Sequence, residues 1–496
     1  MKFTENENRV GNAGLMALIV WAMMLYTFTA SAQSDEWPEL PLLEITTDGG
    51  IEPTATVVYP PEGCVGTSII SEHVPGRLVM TVNGKAVYDS GDYVKGESGV
   101  RIKIRGNSTG ANLPQHPYKL KLSKKADLLD MDKKYKSKDW ALLAVQTWNK
   151  AMKNADNNIL HVSGLAVCRA LEMPWSPQAR FVNVVLNGKY IGLYCLTETV
   201  ERADNRVVTD KTGFLIENDA YWWKEGEVWF KTDRQHQYMG YTFKYPDADD
   251  VTDEQKEAIK AYMNDVETAI FSGECADYID YESFARWILA HDMLGSSDAA
   301  GCNMYMYKEC IGTDEPSEEK LKMATLWDFD SCFLMEDTQW SRQHTHPVFY
   351  YPELFKNRAF VDKYKELYNK YKDSVYPYVE SYLNDLNAQC GTAFEQSREL
   401  HRQVYDGQCP NTLHEQIDDV LAHLKARLDA LDGMVEGLQG TETSIVGAFA
   451  DDGAPRVVKR TDLSGRTFIG SSSDGMPAGV YVESYSDGSV KKVVRK

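Results

Sequence analysis

Asp298 and Asn303 are set in a D-x-x-x-x-N spacing within Ser297-Asp298-Ala299-Ala300-Gly301-Cys302-Asn303. The strand-like run Met304-Tyr305-Met306-Tyr307 follows at once. Downstream, Trp327-Asp328-Phe329-Asp330 places two carboxylates around a Phe after the mostly apolar run 321–326. An Asp, an Asn and a second Asp at the ends of adjacent strands suit phosphoryl transfer. Asp298 would orient the attacking hydroxyl. Asn303 and Asp328 would hold Mg²⁺ or Mn²⁺ on the phosphates of a nucleotide such as ATP. Asp330 would ligate the metal or orient Asp328 from behind. The bland alternative makes Asp298 a loop cap and the Asp pair a buried polar network. Other chemistries lack their pattern. His291, His344 and His346 are scattered, and the H-x-H has no third ligand nearby. There is no G-x-S-x-G and no Walker sequence.

Several elements must position these residues. A helix over about 281–294 delivers the chain to Asp298, after a capping box at Thr252-Asp253-Glu254-Gln255 opens another helix to about Ile270. Gly213 to Asp219 reads as a strand with an acidic end. Tyr221-Trp222-Trp223 belongs to an insertion with exposed tryptophans. Upstream, Val100 to Ile104 alternates apolar and basic residues and ends at Arg105-Gly106-Asn107-Ser108. Tyr118, Leu120 and Leu122 share one face of a strand, with Lys119 and Lys121 on the other. The stretch from Asp139-Trp140-Ala141-Leu142-Leu143-Ala144 to Met173 reads as helical. Ala179 to Val185 and Tyr190 to Leu196 form a hairpin turning at Asn187-Gly188, and 37–100 reads as a β-rich packing region with a turn at Asn83-Gly84. Helices dominate from Pro352 to about Glu436.

Arg105-Gly106-Asn107-Ser108-Thr109, Tyr118-Lys119-Leu120-Lys121-Leu122, Leu186-Asn187-Gly188-Lys189-Tyr190-Ile191-Gly192-Leu193-Tyr194 and Trp327-Asp328-Phe329-Asp330 occur in this order. In order and spacing they resemble the CotH family of atypical, protein-kinase-like proteins, over about residues 40–380. The resemblance implies a bilobed α+β kinase-like fold with a β-rich N-terminal region and a mainly helical C-lobe. It implies that Arg105, Asn107 and Ser108 cover the nucleotide phosphates and that Lys119 or Lys121, Lys121 by preference, reaches them. Glu198 would stand where the lobes join and adenine docks, as a hinge or structural carboxylate. A kinase helix carries a Glu for the strand lysine. None lies between Asn149 and Ala170, so Asn154 or Asp156 would serve. The expected division is 1–32 signal peptide, 33–99 β-rich region, 100–204 small lobe, 205–436 large lobe, 437–456 linker and 457–496 β-rich tail.

Whole-chain properties narrow the function. The chain has 496 residues with 73 acidic against 53 basic side chains, a net charge of −20. That excludes nucleic acid as a partner, because phosphate backbones need a basic surface. Residues 1–32 read as a secretory leader, with cleavage after Ala30-Ser31-Ala32, before Gln33, and the mature chain has no spanning segment. A secreted protein of the periplasm, cell surface or exterior follows. Of nine cysteines, Cys390 and Cys409 make one plausible disulfide and most others suit a core. The tail, with Asp462-Leu463-Ser464-Gly465-Arg466 and a basic end, resembles the sorting segment of type IX secretion in Bacteroidetes, which implies contact with secretion machinery. Three functions fit these residues. The first is an ATP-dependent kinase acting on a protein or surface polymer. The second is a non-catalytic nucleotide-binding protein of surface assembly. The third is a carbohydrate- or surface-binding protein using Trp222-Trp223.

Overall fold

The alternating segments Val100–Ile104 and Tyr118–Ala126 pair as antiparallel strands, with Ile102 opposite Leu120 and Lys103 opposite Lys119. Their apolar faces turn into one core and their basic faces turn out. The computed structural model describes residues 40–129, 135–145, 155–224, 226–235, 238–297, 303–311, 318–344, 350–406 and 410–440, with 457–462, 467–469, 479–485 and 490–495 beyond them. The chain divides into two units, Met1–Thr443 and Ser444–Lys496. The division falls within the stretch expected as a linker. The expected leader, residues 1–32, lies outside the described residues.

In the first unit the strands are β1 (Leu42–Thr47), β2 (Thr56–Val58), β3 (Ser68–Ile70), β4 (Val74–Val82), β5 (Lys85–Asp89), β6 (Val100–Ile104), β7 (Tyr118–Ala126), β8 (Ser137–Ala144), β9 (Ala179–Leu186) and β10 (Lys189–Glu198). Strand β1 lies parallel to β9 and antiparallel to β4, so Ile45 faces Leu186 on one side and Leu78 on the other. The order β1-β9-β10-β8-β7-β6-β4 therefore returns to β1, and seven strands close a barrel with β5 added outside β4. Closure removes the exposed edges that an open sheet would carry. Leu43, Leu78, Ile102, Leu120, Trp140, Leu142 and Val184 fill the interior. The hairpin turns at Asn83-Gly84 and Asn187-Gly188 carry the positive φ angles of a type I′ turn.

Residues 139–144 overturn one expectation. They form β8, not a helix, between β7 and β10. Trp140 and Leu142 point into the barrel, while Ala141 packs with Leu215, Tyr305 and Trp327 outside it. A strand buried on both faces shows no alternation, and Ala and Leu then mimic a helix. Strands β1, β4 and β5, which precede residue 100, share this one sheet with β6 to β10.

The helices are α1 (Ser108–Asn112), α2 (Asn157–Ala170), α3 (Asp253–Ser272), α4 (Tyr281–Met293), α5 (Tyr351–Leu354), α6 (Arg358–Arg402) and α7 (Leu413–Glu436). Capping boxes open α3 at Thr252 and α7 at Thr412. Helices α2, α4, α6 and α7 share a core in which Leu160, Phe284, Trp287, Tyr364, Phe394 and Leu424 are buried. Phe181, Leu193 and Cys195 on the outer face of the barrel belong to the same core. A second sheet adds β11 (Phe214–Asp219), β12 (Trp229–Phe230), β13 (Gly240–Tyr245), β14 (Met304–Lys308) and β15 (Lys322–Met323), in the order β12-β13-β11-β14-β15. The fold is α+β. Among the described residues no helix is long and apolar enough to cross a membrane.

The second unit is a four-stranded antiparallel sheet of β16 (Val457–Asp462), β17 (Thr467–Ile469), β18 (Gly479–Tyr485) and β19 (Val490–Arg495), ordered β17-β16-β18-β19. Cys390 carries a free thiol that donates to the Leu386 carbonyl oxygen, which corrects the expected pairing with Cys409. Cys409 itself lies outside the described residues.

Barrel closure depends on Gly76 at the seam, opposite Thr47 on β1 and Val100 on β6. A Cβ there would stand 2.4 Å from the Thr46 carbonyl oxygen and 2.8 Å from the Thr47 Cα. Backbone cannot yield as a flexible side chain does, so Gly76→Ala is expected to lower unfolding free energy by more than about 2 kcal/mol. Denaturant unfolding of the variant beside the parent measures this. An unchanged midpoint would show that the seam has room.

Candidate active site

Strand β11 carries its acidic end, Glu217-Asn218-Asp219, into the middle of the second sheet. Tyr305 on β14 lies opposite Glu217, and so does Thr242 on β13. Side chains two residues along a neighbouring strand share a face. Asn303 and Lys244 therefore become the diagonal neighbours of Glu217. One oxygen of Glu217 accepts the Asn303 backbone N–H at 2.8 Å, and the other takes Lys244 Nζ at 3.0 Å.

Asn303 and Asp328 both have left-handed backbone, with φ of 62° and 64°. Asn and Asp enter this region more readily than other side chains because their short polar groups can bond locally, at a cost of about a kcal/mol or more each. The Asn303 side-chain amide donates to Asp328 Oδ2 at 3.4 Å. Phe329, between the two aspartates, lies on α2. A Cβ added at Gly164 would meet its ring at 2.0 Å. The ring of His161, one turn earlier, meets the edges of Trp327 and Phe329 with centroids 5.5 and 5.6 Å away.

The barrel supplies the opposite wall. Arg105 directly follows β6, and its guanidinium lies 5.6 Å from the Trp327 ring centroid. Asn107 follows and accepts a hydrogen bond from Ser68 Oγ at 2.7 Å. Lys119 on β7 pairs with Asp139 on β8 at 2.9 Å. Between the walls is a cleft of about 620 Å³, lined by Arg105, Asn107, Ser108, Lys119, Glu217, Asp219, Lys244, Asn303, Asp328 and Asp330 among others.

Burial controls the charges of the cleft. It pushes the Asp328 carboxyl up, while Arg105, Asn303 and Asp330 pull it back. Burial, then the Glu217 charge, pushes Asp219 up to about 7, against the opposing pull of Lys244. Burial disfavours a charged Lys244, yet Glu217, Glu227 and Asp219 hold its pKa above the ordinary lysine range. His161 is lowered to about 3 by burial and by Arg105 and Arg169, so its ring is neutral.

Arg105, Asn107, Ser108, Lys119, Asn303, Asp328 and Asp330, all expected from the sequence, meet at this one cleft. Asp298 lies outside the described residues. Lys121 shares the face of Lys119 but is not among the lining residues. Glu198 is fully buried elsewhere, 3.2 Å from Arg206 and accepting the Gln178 N–H at 2.9 Å. Asp156 does not serve the strand lysine. It starts α2 facing Arg398 at 3.6 Å, and Asp139 takes the lysine instead. Asn154 lies outside the described residues. Trp222 and Trp223 are half-buried, donating to the Tyr238 and Val65 carbonyl oxygens at 3.1 and 3.0 Å. His344 bonds Asp292 at 2.7 Å within the helical core. His346 lies outside the described residues. Asn158, His161, Glu217, Asp219 and Lys244 line the cleft without having been singled out; the acidic end of β11 was the available sign for two of them.

The donor set fits a hard divalent cation. Two carboxylates and a side-chain amide converge, and burial leaves Asp328 short of positive charge. Among the described residues no group of three or more His, Cys, Asp or Glu forms a metal cage alone. Mg²⁺ on a nucleotide needs only one or two carboxylates, with phosphate oxygens and water completing its shell.

Compared with protein-family models, residues 102–431 match the one described as CotH kinase protein. A comparison with curated proteins gives no match.

Asp219 gives the cleft a pH dependence. Its folded pKa of about 7 lies above the unfolded carboxylate value of about 4. The stability it contributes is complete below about pH 4 and is lost as pH rises through about 7. Asp219→Asn removes that loss. The stability of the variant relative to the parent is expected to be greater at about pH 8 than at about pH 4. Denaturant unfolding at both values measures it; a pH-independent difference would show that Asp219 does not titrate in this range.

Proposed function

The chain belongs to the CotH kinase family, and on that premise we propose that it transfers a phosphoryl group from ATP to a hydroxyl of a protein or surface polymer. The observation that carries this is the meeting of Asn303 and Asp328, 3.4 Å apart on left-handed backbone, across one cleft from Arg105 and Lys119. Acidic and amide oxygens on one wall would hold a metal, and the cations on the other would pair with phosphate oxygens. Asp328 and Asn303 would hold Mg²⁺ or Mn²⁺, with Asp330 beside them. The cation would neutralise charge on the phosphates. Arg105 and Lys119 would orient the phosphates, with Asn107 and Ser108 covering them. Asp298 would receive the acceptor hydroxyl proton.

In this reading the barrel is the small lobe of a bilobed kinase and the second sheet with the helices is the large lobe. Residues 1–32 would export the chain to the periplasm, cell surface or exterior, and the tail from 457 would engage secretion machinery.

Incubation of the purified protein with labelled ATP and Mg²⁺ or Mn²⁺ tests the activity. Asp328→Asn is expected to abolish transfer and weaken metal-dependent nucleotide binding while the fold persists. Asp298→Asn is expected to leave nucleotide binding nearly intact while transfer falls about 100-fold or more, since it acts on the acceptor. Full transfer by Asp328→Asn would remove the metal assignment. Absence of transfer with retained nucleotide binding in the parent would make it a nucleotide-binding protein without this activity.

A further inference from the structure

Asn158 is the second residue of α2 and is only 1% exposed. Its side chain lines the cleft. Neither its amide nitrogen nor its amide oxygen has a hydrogen-bond partner among the described residues. A buried amide that satisfies neither atom is costly, and such groups call for a specific explanation.

Its surroundings define what would satisfy it. Leu113, Pro117, Leu143 and Ala144 line the same cleft and carry no charge. His161 is the next polar residue on this face of α2, one turn on, with its ring held against Trp327 and Phe329. The cations of the cleft, Arg105 and Lys119, come from the barrel strands. Phosphate groups would take those cations. A flat neutral group with a donor beside an acceptor suits the apolar lining and the amide.

We infer that Asn158 is a specificity-determining residue that reads the adenine base of the nucleotide. This rests on the kinase function proposed above. The amide oxygen would accept from the adenine exocyclic N6–H, and the amide nitrogen would donate to an adjacent ring nitrogen, as Asn does when it reads adenine elsewhere. Guanine presents two acceptors on the corresponding edge, O6 and N7, and leaves the amide oxygen unsatisfied.

The α2 helix holds the residue rigidly. The Asp156 N–H donates to Gln416 Oε1 at 2.8 Å, and Arg398 lies 3.6 Å from the Asp156 carboxylate. The amide therefore keeps its place before ligand arrives, and binding needs little further ordering.

Two substitutions in the full chain test this by calorimetry and thermal unfolding, with ATP, GTP and adenosine as probes. Asn158→Leu removes both unsatisfied atoms at similar volume. It is expected to raise the melting temperature of the ligand-free protein and to weaken both ATP and adenosine by about tenfold or more. A structural role would move stability and binding in the same direction. Asn158→Lys supplies only donors, which match guanine O6 and N7 but not the adenine N6–H, and is expected to shift the ATP-to-GTP affinity ratio toward GTP by about tenfold or more.

Destabilisation by Asn158→Leu together with unchanged nucleotide affinity would show a protein or water partner and overturn the inference. So would equal ATP and GTP affinities in the parent with no change in either variant; the kinase function would then still stand. A parent that binds none of the three probes overturns both.

Discussion

The ring of Phe329 lies on Gly164, and that contact decides where the carboxylates of Trp-Asp-Phe-Asp can stand. A methyl group at residue 164 would occupy the ring's position, 2.0 Å from its nearest carbon. Asp328 and Asp330 flank the ring in sequence, so anchoring the Phe on α2 directs both side chains to the cleft. The left-handed backbone at Asp328 costs energy, and the buried packing of Phe329 and Trp327 around it supplies what sustains it. His161 extends the contact by meeting both rings. Helix α2 is in turn held by α6 and α7 through Asp156, Arg398 and Gln416. The site is therefore carried by the helical core as much as by the strands that deliver it.

Glu217 performs the corresponding task on the other side of the cleft. A carboxylate in the middle of a sheet needs partners for both oxygens, because an unpaired buried charge is far more costly than a paired one. The register supplies Lys244 from one neighbouring strand and the Asn303 N–H from the other. The bond to Asn303 also fixes the residue whose side chain reaches Asp328. One carboxylate thus joins three consecutive pieces of backbone around the cleft.

Much of this was legible beforehand, for stated reasons. The Asn-Gly turns, the alternation in β6 and β7 and the capping box at Thr252 depend on local chemistry and appear where expected. The pairing of Asn303 with Asp328 was implied by residue types at strand ends. Strand β8 was not legible, because burial on both faces erases its alternation. Barrel closure was not legible either: it depends on β1 reaching both β4 and β9, and Leu42 lies opposite Asn183, a contact across most of the barrel's sequence that no local pattern encodes. Lys119 and Lys121 share one strand face, so only the tertiary arrangement separates the one lining the cleft from the one beyond it. Lys244 and Asn158 carry no motif; their importance comes from what faces them.

The division of charge between the two walls explains why they belong together. On the barrel, Arg101 faces Lys121 and Lys103 faces Lys119, two like-charge pairs directly across a sheet. Such pairs are destabilising within a sheet. On the second sheet, the Glu217 charge raises the cost of ionising Asp219, two residues along the same strand. Each wall taken alone carries unfavourable charge, and each presents the opposite sign to the other. Arg105 lowers the cost of Asp328 across the gap, and Asp139 relieves Lys119 within the barrel. Complementary potentials of this kind set orientation more than they add stability. The same surplus that the walls leave incompletely neutralised, cationic on one side and acidic on the other, is what a phosphate group and a divalent cation would complete.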